Sequence, residues 1–491
     1  MSSTFGYKAL SLAVVSALAA TSAHSAGLDR SGQDVTAFLQ DGTYAEAVYT
    51  YIDADVSGHD NGVAAGAATN NYVQGKPTGD GAEDYDFFRF GVKGDLNDRF
   101  SVGVLYDEPF GAAVQYSGDN NFVSAGADAT ISALTGGQAQ SVPAAQAGLS
   151  QLQAGIATAT AGVEQLQAGI AATAAAGGDT SALEAQLTAT QAQLKEAVTK
   201  ARSLGAALNA ATTSEAQKGE GTNVEFRTHN LTTLVGMKLG EKRNFQIYGG
   251  AAAQHLTGEV HLRGIAYQAA QGYDARISPD TAVGWVAGVA YSKPEIALKA
   301  ALTYRSEIEH ESTIAEVFPA TARTTTRNFA VTLPESYNLD FQTGVNPTTL
   351  LTAKVRYVPW SDFDIRPPTY GDATAIQNNG VPLPIISYSD DQWSAEVGLG
   401  KRVSDRLALS GSVGWDSGAG NPASTLGPIE GYWSLGLGAK YNVTPEWSVS
   451  VGGKYLKFGD ATANLPNGMT AGEFSDNDGF IAGVKLAYQA K

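Results

Sequence analysis

From Ala45 onward, apolar and polar positions alternate one by one along most of the chain. A period of two places successive side chains on opposite faces of a strand. In segment 433–441 one face carries Trp433, Leu435, Leu437, Ala439 and Tyr441, and the other Ser434, Gly436, Gly438 and Lys440. Segment 447–455 repeats the arrangement, with Trp447, Val449, Val451, Gly453 and Tyr455 against Ser448, Ser450, Gly452 and Lys454. The last segment sets Phe480, Ala482, Val484, Leu486 and Tyr488 against Gly483, Lys485 and Ala487. The pattern predicts strands near 45–57, 82–95, 98–116, 223–240, 244–262, 282–293, 295–310, 325–344, 347–364, 387–403, 406–416, 429–443, 446–458 and 479–489. Large apolar residues on one face of strand after strand, with aromatics at the strand ends, are the pattern of a lipid-facing wall. The fold expected is all-β: an antiparallel transmembrane β-barrel of about fourteen strands. A soluble β-sandwich is the competing architecture, and it gives no reason for Trp and Leu to point outward on every strand. Short links such as 403–406 and 442–446 read as periplasmic turns. Longer Gly-, Asn- and Pro-containing links such as 417–430 and 460–478 read as extracellular loops.

One stretch departs from this period. Between Val123 and Glu225 there is no aromatic residue, and Leu149, Leu152, Ile156, Ala159, Val163, Leu166 and Ile170 step by three and four. That spacing predicts a helix over about 144–176, stopped by Gly177-Gly178. Ser181-Ala182-Leu183-Glu184 reads as a capping box for a second helix over about 181–212, with Leu183, Leu187, Leu194, Ala201 and Leu208 on its seam. Two matched seams joined by a short turn predict an antiparallel helical hairpin within an extracellular insertion, 123–222. A disordered Ala- and Gln-rich loop is the alternative.

The N-terminus adds a compartment. Lys8, the apolar run 9–20 and Ala23-His24-Ser25 follow the order of an export signal. Residues 1–25 are read as a signal peptide, cut after Ser25 or Ala26. Residues 26–43 are left as a short plug, with 44–122 forming strands 1–3 and 223–491 strands 4–14. The sequence has no Cys in 491 residues, so a large exported chain must be held by something other than disulfides. The net charge of −17 argues against nucleic acid as a partner. Expected partners of such a barrel are outer-membrane lipid and lipopolysaccharide and the barrel-assembly machinery, with the chain itself a monomer.

No constellation argues for catalysis, a metal or a cofactor. His255 and His261 share a strand face, but no third ligand follows at metal spacing. No Ser sits in a G-x-S-x-G elbow. Strand parity does point Arg89, Lys299, Arg305, Lys354, Arg356, Lys440, Lys454 and Lys485 inward. These are either ordinary paired charges of a polar lumen, or a set from which one or two cations meet a ligand carboxylate. Pro109 and Gly111 interrupt the third strand: Pro has no N–H for the ladder, and Gly marks a bend or close approach. Asp107 and Glu108 beside them are costly against lipid and should face the lumen or a gap. The bland alternative is that the strand ends at Tyr106.

Several ordered motifs resemble the FadL family of outer-membrane long-chain fatty-acid transporters. They are Tyr51-Ile52-Asp53-Ala54-Asp55-Val56, Gly284-Trp285-x-x-Gly288, Ala301-Leu302-Thr303-Tyr304-Arg305-Ser306-Glu307, Leu333-Pro334-Glu335 and Trp360-Ser361-Asp362-Phe363. The resemblance implies passive uptake of long-chain fatty acids or similar hydrophobic molecules. It implies an N-terminal hatch folded into the lumen, and a kinked third strand that opens the wall sideways. Here the opening would fall on Asp107, Glu108, Pro109, Phe110 and Gly111. Leu28 and Phe38 of the hatch, with Arg89, Arg263, Arg305, Lys354 and Arg356, become the candidate ligand-binding set. Arg263 enters through its approximate match to an arginine at the end of the family's fifth strand. The plug is shorter than the family's usual hatch and lacks its Asn-Pro-Ala motif. The competing functions are a general porin and a surface adhesin or receptor acting through the helical loop. The substrate class stays open among fatty acids, alkanes, aromatic hydrocarbons and signalling lipids.

Overall fold

A computed structural model describes residues 27–63, 71–319 and 323–490; the signal-peptide reading lies outside them. Fourteen antiparallel strands form a closed wall. They are β1 (Thr43–Asp55), β2 (Tyr85–Asp95), β3 in two pieces (Phe100–Asp107 and Gly111–Gln115), β4 (Asn223–Leu239), β5 (Phe245–His261) and β6 (Asp274–Lys293). Next come β7 in two pieces (Leu298–Arg305 and Ile308–Phe318), β8 in two pieces (Arg323–Leu333 and Ser336–Asn346) and β9 (Thr349–Val358). The rest are β10 (Gln392–Arg402), β11 (Leu407–Asp416), β12 (Tyr432–Asn442), β13 (Trp447–Phe458) and β14 (Asp478–Ala490). Closure is made by β1, which runs beside β14 from Thr43↔Ala490 to Asp55↔Asp478 and pairs with β2 on its other edge. A closed ladder leaves no strand edge in the hydrocarbon, which is why this sequence can cross a membrane without an apolar helix.

The alternation read from sequence sets the two faces. Trp433, Leu435 and Leu437 are 63%, 58% and 67% exposed on the outside, whereas Ser434 and Lys440 are buried within. Trp285, Tyr304, Tyr337, Tyr357 and Trp393 form a continuous belt of rings across β6–β10, with centroids 4.7–6.1 Å apart. Such a belt marks a membrane–water interface. Two strands run further outward than their patterns predict. β6 begins at Asp274 rather than 282, and β7 continues to Phe318 rather than 310. The extra turns lie beyond Trp285, where no lipid faces the wall and no apolar alternation is required of the sequence.

Three helices, α1 (Ala127–Leu134), α2 (Val142–Ala175) and α3 (Ser181–Ala216), separate β3 from β4. Ser141 caps α2 by accepting the Ala144 amide, and Gly177 ends that turn at φ +73°. At ~1.5 Å per residue the hairpin of α2 and α3 extends about 50 Å. The capping box expected at Ser181 does not form. Ser181 is already helical; Thr180 donates its hydroxyl to Glu184 at 2.8 Å, and Asp179 accepts the Ser181 amide at 2.9 Å. The helical backbone of Thr180 (φ −96°, ψ −6°) turns its hydroxyl away from the orphan amides. The hairpin's foot is tied down by Gln271, which bonds Thr130 and Ser214 at 2.6 and 2.7 Å. A fourth helix, α4 (Pro368–Gln377), joins β9 to β10.

Candidate functional site

The wall is discontinuous where Pro109 predicts it. The ladder between β2 and β3 stops at Phe90↔Tyr106 and resumes only as a single bridge, Ala82↔Val114. Among the described residues, no ladder pair joins 84–89 to 107–112. The broken groups of β3 find other partners. Thr228 on β4 takes both the Phe110 amide (2.9 Å) and its carbonyl (2.8 Å). The plug takes the rest: the Arg30 amide donates to the Pro109 carbonyl and the Gly111 amide to the Leu28 carbonyl, each at 2.7 Å. Residues 28–30 therefore lie as a stopper along the inner side of the gap. Tyr85, Phe87 and Phe110 are buried around it. A second lapse, between Arg305↔Val286 and Ile314↔Ile277, is bridged by the wall's own side chains. There Ser306 accepts the Trp285 amide at 3.0 Å and His310 meets Asp280 at 2.8 Å. Of these two lapses, the β2–β3 gap is the one against which the plug is bonded.

Deeper in the lumen, the plug's acids meet the cations that strand parity turns inward. Asp34 lies between Arg89 (3.2 Å) and Lys354 (3.0 Å), and Arg89 also reaches Glu46 at 3.5 Å. Arg356 grips Asp29 through Nε and Nη2 at 2.6 and 2.9 Å, and adds Asn338 and Gln33. Ion pairs this buried hold only where the remaining donors and acceptors are also satisfied, and here they largely are. Asp107 faces inward and accepts from Ser31 and Asn230. Arg305 reaches Thr232 at 3.0 Å. Arg263 is not part of this group. It sits beyond the end of β5 and fastens the loops there, to Glu220 at 2.9 Å and Asp274 at 2.7 Å. Sequence reasoning missed Asp29, Asp34 and Gln33, the plug residues that engage these cations. The surplus of acids in so short a plug was the signal available.

Leu28 and Phe38, the two apolar candidates of the plug, occupy different levels. Phe38 is fully buried in a cluster with Leu105, Leu234, Tyr248 and Val286. Its ring lies 5.8 Å from that of Tyr248, and a Cβ on Gly103 would come within 2.6 Å of it. It anchors the periplasmic end of the plug. Leu28 belongs to the outer cluster and lines a small apolar pocket, open at one side, with Val56, Ala82, Gly111, Val114, Tyr116, Leu426 and Ile429. Farther out, Tyr267, Phe318, Tyr370, Leu383 and Leu465 line an open groove between the loops and α4. Beside the loops, burial and then the neighbouring Asp390 push the Glu430 carboxyl up to about 7. Among the described residues, no group of three or more metal-binding side chains converges.

A family model described as outer membrane protein transport protein (OMPP1/FadL/TodX) matches residues 40–489. Among solved structures, a Pseudomonas aeruginosa FadL homologue is 13% identical, with 91% of this chain and 90% of that chain covered at a TM-score of 0.57. The P. putida toluene transporter TodX is 11% identical, with 93% and 92% covered and a TM-score of 0.51. These two likenesses speak for the fold. No curated protein matches the sequence.

Proposed function

The chain belongs to the OMPP1/FadL/TodX family of outer-membrane transport proteins, a family of transport channels and not of enzymes, and from that premise we propose what it carries and by which route. It takes up long-chain fatty acids or similarly apolar molecules at the cell surface and releases them sideways into the outer membrane. The observation that carries this reading is the interrupted ladder between residues 84–89 and 107–112, along whose inner side residues 28–30 of the plug are bonded to β3. The groove at Tyr267, Phe318 and Tyr370 suits capture of cargo from outside. The pocket at Leu28 then lies next to the exit, because Gly111 belongs to both.

Energetics favour the sideways path. Releasing a sixteen-carbon tail into the aqueous periplasm re-exposes its methylenes at ~0.8 kcal/mol each, a cost on the order of 12 kcal/mol. Release into the bilayer avoids nearly all of it. The periplasmic end is also where Phe38 and its neighbours fill the lumen. A general porin needs an open aqueous lumen, which this packed plug opposes.

The chain has no Cys, so a Phe88→Cys, Glu108→Cys pair can be joined across the gap by a cleavable bismaleimide without side labelling. Uptake of a labelled long-chain fatty acid into cells should fall to background when the link is closed and return when it is cut. Undiminished uptake with the link shown complete by mass would sink the lateral route and favour passage through the lumen.

A further inference from the structure

The gap contains a cation whose binding edge is unused. Arg30 is 1% exposed, yet among the described residues its Nε and Nη2 have no hydrogen-bond partner. One face of its guanidinium lies against Tyr85, with Cζ 3.9 Å from the ring centroid. The guanidinium fits against β3 only because residue 111 is glycine: a Cβ there would come within 2.5 Å of Arg30 Cζ. A guanidinium binds a carboxylate side-on, in its own plane, through Nε and Nη2 together. The same chain does this elsewhere: Arg356 holds Asp29 through that pair of nitrogens. Arg30 presents the same donor edge buried and without a partner among the described residues, where an unmet charged donor is costly.

From this geometry we infer that Arg30 is the headgroup receptor of the exit gap, taking the carboxylate of a cargo whose tail occupies the pocket beside Leu28. That pocket is apolar, walled by Val56, Val114, Leu426 and Ile429, and it shares Gly111 with the Arg30 site. Head and tail of one amphiphile therefore have adjoining places. Arg30 is also part of the stopper, since its amide holds the Pro109 carbonyl. A carboxylate on the guanidinium thus acts on the residue that closes the gap. The inference rests on the transport reading above and adds to it the selection of carboxylates over neutral molecules of the same length. Glu108, whose Oε2 is also buried without a partner, is the rival occupant within the chain.

The test compares binding of palmitate and of 1-hexadecanol to the purified full-length protein in detergent, for wild type, Arg30→Met, Arg30→Lys and Glu108→Gln. Heat-modifiable migration checks that each variant keeps its barrel. Arg30→Met should weaken palmitate at least tenfold and leave hexadecanol within about twofold; Arg30→Lys should recover part of the palmitate affinity. Equal loss of both probes, or loss of neither, overturns the assignment. So does Glu108→Gln reproducing Arg30→Met with no preference between probes, which would make the arginine a structural partner of the glutamate. Wild type that binds hexadecanol but not palmitate overturns the headgroup role and leaves the transport reading standing. Wild type that binds neither overturns both.

Discussion

Replacing Asp34 by alanine removes the carboxylate on which two lumenal cations converge. Its side chain is 2% exposed and lies 3.2 Å from Arg89 and 3.0 Å from Lys354. Breaking a buried ion pair from one side typically costs about 3–5 kcal/mol, because the charge left behind cannot be rehydrated. Here each cation keeps one weaker neighbour at 3.5 Å, Glu46 for Arg89 and Asp340 for Lys354. The low end of the range therefore applies. A loss of about 3 kcal/mol shifts the seating equilibrium of the plug roughly a hundredfold. The wall ladder does not depend on Asp34, so the loss should be local. Hydrogen exchange reads it at two amides: that of Arg30, bonded to the Pro109 carbonyl, and that of Phe38, bonded to the Val35 carbonyl at 2.9 Å. Both should exchange about two orders of magnitude faster, while strands β12–β14 keep their protection. Exchange at Arg30 and Phe38 within about threefold of wild type would refute the idea that the ionic layer seats the plug.

Three further outcomes follow from the same geometry. Phe38→Ala should loosen the periplasmic end of the plug by about 3–5 kcal/mol, read as a rise in single-channel conductance in planar bilayers; unchanged conductance would mean the lumen is blocked elsewhere. Excising residues 146–206 for a short Gly/Ser linker spares the foot residues Ile131, Ala145, Ala207 and Ala211 and should leave heat-modifiable migration intact, whereas a lost barrel would make the hairpin part of the core. Glu430 has its folded pKa raised to about 7 from the ordinary carboxylate value of about 4.5, so its contribution to loop closure is full below about pH 4.5 and is lost as pH rises through about 7. Exchange in segment 417–431, corrected for intrinsic rates, should therefore speed up from pH 5 to pH 8, and Glu430→Gln should reduce that dependence; a pH response unchanged in the glutamine variant contradicts it.

The sequence was informative wherever a residue's surroundings repeat. Lipid on one side and lumen on the other impose alternation, so fourteen strands and the inward face of Arg89, Lys354 and Arg356 could be read from parity. The interruption of β3 was readable because Pro109 and Gly111 act on the backbone itself. The outward ends of β6 and β7 were not, since Arg276, Ser278, Pro279 and Asp280 stand beyond the belt at Trp285, where no lipid imposes a period. The plug was the least legible part. It is irregular, so no parity assigns a direction to Asp29, Arg30 or Asp34, and their partners lie up to about three hundred residues away along the chain. Ser181–Glu184 shows a different limit: a four-residue signature was present, but the helix begins one residue earlier, and the helical backbone of Thr180 turns its hydroxyl to Glu184 so that no hydroxyl caps an amide.

A photolabel separates exit through the wall from passage down the lumen. Palmitate carrying a diazirine near its ω-end would be bound by protein in native outer membranes, irradiated, and its adducts mapped by mass spectrometry. Exit through the wall predicts adducts on Leu28, Tyr85, Phe87 and Phe110, around the gap between β2 and β3. Adducts confined to Phe38, Leu234 and Tyr248, at the periplasmic end of the lumen, would contradict it and establish passage straight through the barrel.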